Sequence, residues 1–131
     1  MPLRPAPLSP HLQIYRPQWT SVLSILHRLT GCALVVGLPF LAWFLWAVAE
    51  GGQTFVAMMG FWVHPVGIFM LMGWAFALSF HFLSGLRHLI FDTGRLFAIH
   101  QAESVGKGVV FCAVLLTLAL WGCGLYGVFG S

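Results

Sequence analysis

Three stretches of this chain run for about 20 residues or more with almost no charge: roughly Val22 to Ala49, Phe61 to Leu86 and Lys107 to Phe129. A hydrocarbon core about 30 Å thick takes about 20 helical residues at 1.5 Å each, so each run is long enough to cross a bilayer. Backbone polar groups in lipid must be satisfied internally, and a helix does this by itself. The expected fold is therefore an all-α membrane protein with three transmembrane helices. Composition agrees: 60% of the 131 residues are hydrophobic and 7% are charged, more apolar surface than one soluble core of this size buries. Residues 1–20 are expected to form a cytoplasmic N-terminal segment and residues 21–131 a three-helix transmembrane domain. Three helices make a thin bundle for burying polar groups, which argues for a partner subunit and a larger bundle.

The net charge of +3 does not point to nucleic acid, because the six Lys and Arg residues form no basic stripe. Their placement speaks to orientation instead. Arg4, Arg16 and Arg28 precede or enter the first span, and Arg87, Arg95 and Lys107 lie between the second and third, whereas the first loop carries only Glu50. By the positive-inside rule the N-terminus and second loop are cytoplasmic, and the C-terminus is periplasmic. The proline-rich start, MPLRPAPLSPHLQIYRPQW, lacks the pattern of a cleaved signal or a transit peptide, which favours the inner membrane of a bacterium. Trp19, Trp46 and Trp62 are expected as interface anchors, with Trp74 and Trp121 as deeper packing residues. Cys32, Cys112 and Cys123 form no C-x-x-C pair and read as buried small apolar side chains. In TGCALVVG, the small residues Gly31, Ala33 and Gly37 offer a surface for helix contact.

Against this apolar background two polar groups need a reason. In SVLSILHRLTG, Ser24 and Arg28 are four apart and share a helix face, with His27 on its flank. One reading has Arg28 snorkelling to the headgroups and Ser24 bonded back to its own helix. The other is a site for a polar head on an apolar tail, and a quinone fits that description. In HFLSGLRHLIFDTG, His81 lies six residues deeper than Arg87, roughly 9 Å, where an imidazole has no water and needs a partner. Gly85 and His88 fall near the same face, and the missing side chain at Gly85 would admit a flat ligand. That arrangement suits a haem-ligating histidine whose second axial partner comes from another helix; it also suits a histidine hydrogen-bonded to a neighbouring helix. His64 reads as interfacial, and His11 and His100 lie in soluble flanks.

These two elements fit the patterns S-x-x-H-R-x-(S/T)-G and H-x-x-x-G-x-R-H-x-x-x-D, and with RPAPLSPHLQIY they carry a resemblance over nearly the whole chain. The chain resembles the cytochrome b subunit of succinate dehydrogenase, the larger membrane anchor of respiratory complex II. The resemblance implies His81 as an axial ligand of a haem b shared with the small membrane anchor subunit. It implies Ser24 and Arg28 as ubiquinone-site residues, and His27, Arg87, His88 and Asp92 near the haem propionates or the quinone. The implied partners are the flavoprotein and iron–sulfur subunits, the small anchor and the lipid bilayer. The implied role is electron transfer to ubiquinone, with no dicarboxylate site in this chain. Two alternatives stand beside it: a haem-free anchor that only binds quinone, and a small transport protein whose intramembrane histidine relays protons. A fumarate reductase anchor with two haems would want four histidine ligands, and the third span has none.

Overall fold

The computed structural model describes residues 17–96 and 98–129, so the N-terminal motif, Arg4, His11 and Arg16 lie outside the described residues. Four helices follow in order: α1 (Trp19–Glu50), α2 (Gly52–Val63), α3 (Pro65–Asp92) and α4 (Ile99–Phe129). Three of them, α1, α3 and the Ile99–Gly124 part of α4, are long and apolar enough to cross a membrane. The chain is an all-α, multi-pass membrane protein.

The second apolar run divides where the sequence reading had it continuous. Proline has no N–H and holds its predecessor out of the helical region, so His64 is extended (φ −67°, ψ 145°) and α3 opens with Pro65 at its first position. The next backbone donor, Val66 N–H, bonds to His64 Nδ1 at 3.3 Å. Phe61, Trp62 and Val63 therefore end α2 and do not begin the span. Gly67 lets the chain fold tightly at this elbow, since a Cβ there would strike the Phe61 carbonyl and lie 2.8 Å from Trp62 Cα. The α1–α2 turn is equally specific: Gly51 and Gly52 take φ of 70° and 52°, a region in which L side chains are strained. At the other end α4 begins at Ile99, two turns before Lys107, which makes His100 helical as well as exposed.

Helices α1 and α3 run antiparallel. Gly31 faces the His81 ring, and Gly37, further along α1, faces the Trp74 indole, further back along α3. A Cβ on Gly31 would sit 3.0 Å from His81 Cε1, and one on Gly37 would overlap the Trp74 ring. Of the three small residues, Gly31 and Gly37 make the close approach, and Ala33 stays exposed. Helix α4 packs on the other side of α3. Leu23, Phe80, Val109 and Ala113, drawn from all three spans, form the common core. Helix α2 lies against α1 through Phe40–Phe61 and Trp43–Phe61 ring contacts, with centroids 6.4 and 5.6 Å apart.

Little of the apolar surface is buried inside the chain: 11% of the most apolar window of α1, 22% of that of α3 and 17% of that of α4. The rest must meet lipid or protein. For the same reason Cys32, Cys112 and Cys123 are exposed on the chain's outer surface and not buried as expected, because a thin bundle turns most side chains outward. Trp19 and Trp46 are exposed, as interface anchors would be. Trp62 is not of that kind: it packs on Phe40 and Phe61, and its Nε1 is buried.

Arg87, near the end of the second apolar run, is enclosed by the chain. It is only 4% exposed. Its Nη2 donates to the Ala102 carbonyl in the first turn of α4 at 3.1 Å, and the guanidinium lies 4.6 Å from the Phe91 ring centroid. This charge ties α3 to α4.

Two substitutions test the packing. Gly37→Leu should cost about 1–3 kcal/mol through overpacking against Trp74, read as a lower thermal unfolding midpoint, and adding Trp74→Ala should recover part of it. Because an unmatched buried charge costs more than its apolar replacement, Arg87→Lys should speed hydrogen exchange in the first turn of α4 more than Arg87→Met does.

Candidate functional site

The polar residues singled out in the sequence gather where the start of α1, the end of α3 and the start of α4 meet, and all but Asp92 divide between two cavities. The first, about 580 Å³, is lined by His27, Arg28, Gly31, Cys32, Val35, Val36 and His81. The second, about 400 Å³, is lined by Gln18, Thr20, Ser24, Arg87, His88, Phe91 and residues of the α3–α4 turn and first turn of α4. Ser24 and Arg28, expected together, thus open into different spaces.

His81 is half-buried and oriented entirely by α1. Its Nδ1 is 3.1 Å from the His27 carbonyl and 3.4 Å from Thr30 Oγ1. A carbonyl only accepts, so Nδ1 carries the proton in that bond. The neutral ring then has its lone pair on Nε2, the nitrogen suited to a metal. The His27 ring stacks on that of His81, with centroids 4.1 Å apart and planes within 10°. On its other side His27 approaches His88, at 5.0 Å and 51°. His27 lines the first cavity and His88 the second, so this ring contact joins residues of the two. His27 Nδ1 is buried and has no partner among the described residues.

Ser24 is half-buried. The hydroxyls of Thr30, Ser79 and Thr117 each bond to a carbonyl of their own helix, at 2.9, 2.9 and 2.7 Å. Ser24 has no such bond among the described residues, so the back-bonded reading of this hydroxyl does not apply. Arg28 is exposed on the outer face of α1, and Asp92 is exposed at the end of α3 and lines neither cavity. Nothing fills the space a Cβ would take at Gly85, so that part of the α3 surface is open. Thr30 was not singled out from the sequence. In a helix interior its hydroxyl reads as a local back-bond, and only the fold brings it to His81.

The match to known proteins runs through this site and well beyond it. Residues 2–120 match the family model described as the succinate dehydrogenase/fumarate reductase transmembrane subunit. The chain is 39% identical over 115 residues to the succinate dehydrogenase cytochrome b556 subunit of Rickettsia bellii, covering 88% of this chain and 90% of that protein. It is 38% identical over 114 residues to the b556 subunit of Paracoccus denitrificans, covering 86% of each. With the cytochrome b560 subunit of Marchantia polymorpha it shares 33% identity over 118 residues, 86% of this chain and 85% of that one. Such a likeness, spread over all three spans, shows the lineage: the chain belongs to the succinate dehydrogenase/fumarate reductase transmembrane subunit family.

Proposed function

We propose that this chain is the cytochrome b anchor subunit of succinate:ubiquinone oxidoreductase, a membrane subunit without a dicarboxylate site. It would hold haem b through His81, jointly with a small second anchor, and help bind ubiquinone beside Ser24 and Arg28. The observation that carries the reading is the state of His81, whose Nδ1 is engaged by the His27 carbonyl and whose Nε2 is unbonded beside a cavity of about 580 Å³. The donor set fits a haem, because one neutral imidazole nitrogen is what this chain must supply when another helix supplies the second. When bound, the haem supplies a one-electron redox centre.

The chain's own residues have separate tasks in this reading. His81 ligates, and His27 shapes the wall beside it. Arg28, on the rim of the same cavity, suits a haem propionate as well as a quinone oxygen. Ser24 offers a hydroxyl that is not committed to its own helix, next to His88 and the buried Arg87 guanidinium. Positive groups and hydroxyl donors fixed around a quinone oxygen stabilise the charge that develops there during reduction. Arg87 shares the Ser24 cavity and not that of His81, which favours the quinone side for it. Asp92, exposed at the helix end, is assigned to the polar approach to the site.

The partners follow from the same reading. A flavoprotein and an iron–sulfur subunit would dock on the basic, cytoplasmic face, and the second anchor would cover the open side of the His81 cavity. The placement of the basic residues supports an orientation with the N-terminus inside and the C-terminus in the periplasm of a bacterial inner membrane.

Two measurements test this. The reduced-minus-oxidised spectrum of the purified complex should show a b-type band that disappears in His81→Ala; a band that survives that change removes His81 as ligand. Ser24→Ala and Arg28→Leu should lower quinone reduction at least several-fold while leaving succinate oxidation by a soluble artificial acceptor near wild type. Equal loss of both activities would indicate failed assembly instead.

A further inference from the structure

We propose that Thr30 and Gly31 of α1, together with the His27 carbonyl, clamp the His81 imidazole. The clamp sets which nitrogen bears the proton and which way the ring faces, and it makes Thr30 a positioning residue for the haem ligand. The inference rests on the haem reading above.

The argument begins with the His27 carbonyl. In an α-helix this oxygen accepts the N–H of the residue four further on, which is Gly31. Two more donors reach for it: Thr30 Oγ1 at 2.9 Å and His81 Nδ1 at 3.1 Å. One oxygen with two lone pairs does not serve three donors well. The Thr30 hydroxyl has a second acceptor, the Leu26 carbonyl, also at 2.9 Å. When its single proton turns to Leu26, the His27 carbonyl is left for Nδ1–H, and the hydroxyl oxygen remains 3.4 Å from Nδ1 as a further acceptor. Thr30 therefore gives the ring a second anchor on the same nitrogen.

Gly31 makes this reach sterically permitted. A Cβ there would stand 3.0 Å from His81 Cε1 and 3.5 Å from Nδ1, so even an alanine requires the ring to shift by a few tenths of an ångström against the carbonyl it bonds. The His27 ring, stacked within 10° of parallel, sets the ring plane. Nδ1 is held from two directions, one ring edge rests on Gly31 and one face rests on His27. Nε2 is the ring nitrogen left without a hydrogen bond among the described residues. Hydrogen bonding to the far N–H raises the basicity of a ligating imidazole, which favours the ferric over the ferrous state.

The test uses the complete purified complex carrying Thr30→Val, Thr30→Ser, Gly31→Ala or His81→Ala. The haem potential is read by optical redox titration, and the ring orientation by the low-spin ferric electron paramagnetic resonance signal. Thr30→Val and Gly31→Ala should both move the potential upward, Gly31→Ala should also shift the resonance signal, and Thr30→Ser should restore wild-type values. Loss of haem in Thr30→Val with retention in Thr30→Ser also supports the clamp. A Thr30→Val complex with full haem and an unchanged potential and signal overturns it, as does equal haem loss in both Thr30 variants. In those two cases the haem reading survives so long as His81→Ala alone abolishes the b-type band. Persistence of that band in His81→Ala defeats the haem reading itself.

Discussion

The close approach of α1 to α3 is the constraint on which the rest of this protein depends. Lipid tails are as apolar as leucine, so helices in a membrane associate through packing and hydrogen bonds more than through exclusion of water. Here two glycines on α1 each receive a large ring from α3. Gly31 and Gly37 are separated by about 9 Å of helix rise, and Trp74 and His81 by about 10 Å, so one antiparallel register seats both rings. The same approach brings His81 Nδ1 to the His27 carbonyl. Packing and ligand orientation therefore share one geometry.

Polar groups are handled differently along the bundle. Away from the site, Ser79 and Thr117 satisfy their hydroxyls on the preceding helical turn and ask nothing of a neighbour. At the basic end, groups are held across helices or left open. Arg87 reaches from α3 to the Ala102 carbonyl, His81 reaches from α3 to α1, and Ser24 Oγ and His27 Nδ1 take no partner among the described residues. Unmet hydrogen-bonding capacity in a low-dielectric setting is costly. Among the described residues such groups occur at the basic end, at His27 Nδ1 and Arg87 Nε, and also further along the bundle at Trp62 and Trp74 Nε1; at the basic end they adjoin cavities lined by polar side chains.

How much of this was legible in the sequence depended on how local each feature is. The spans were legible because apolar length is a property of contiguous residues. The break at His64 was not, since the apolar run continues through it and only Pro65 marks the change of direction. His81 stood out because a histidine within an apolar run has few partners at hand. The burial of Arg87 was not legible, because the first turn of α4, fifteen residues later, supplies its acceptor. Ser24 and Arg28 share a face by spacing, yet the curved surface between α1, α3 and α4 sends them into different cavities. Thr30 fills the (S/T) position of the first motif, but its part was not legible there because it depends on a residue 51 positions away.

The two cavities also differ in how far this chain encloses them. The Ser24 cavity is walled by all three spans, so this chain forms most of it unaided. The His81 cavity is lined from α1 and by a single residue of α3, and its other members, Cys32, Val35 and Val36, are exposed on the outer surface. A planar cofactor resting on that surface would have protein on one face only. In the proposed complex a second helix bundle must supply the other face as well as the second axial nitrogen. The weak burial of α1, the least enclosed of the three membrane-crossing helices, lies on the side where that cover is needed.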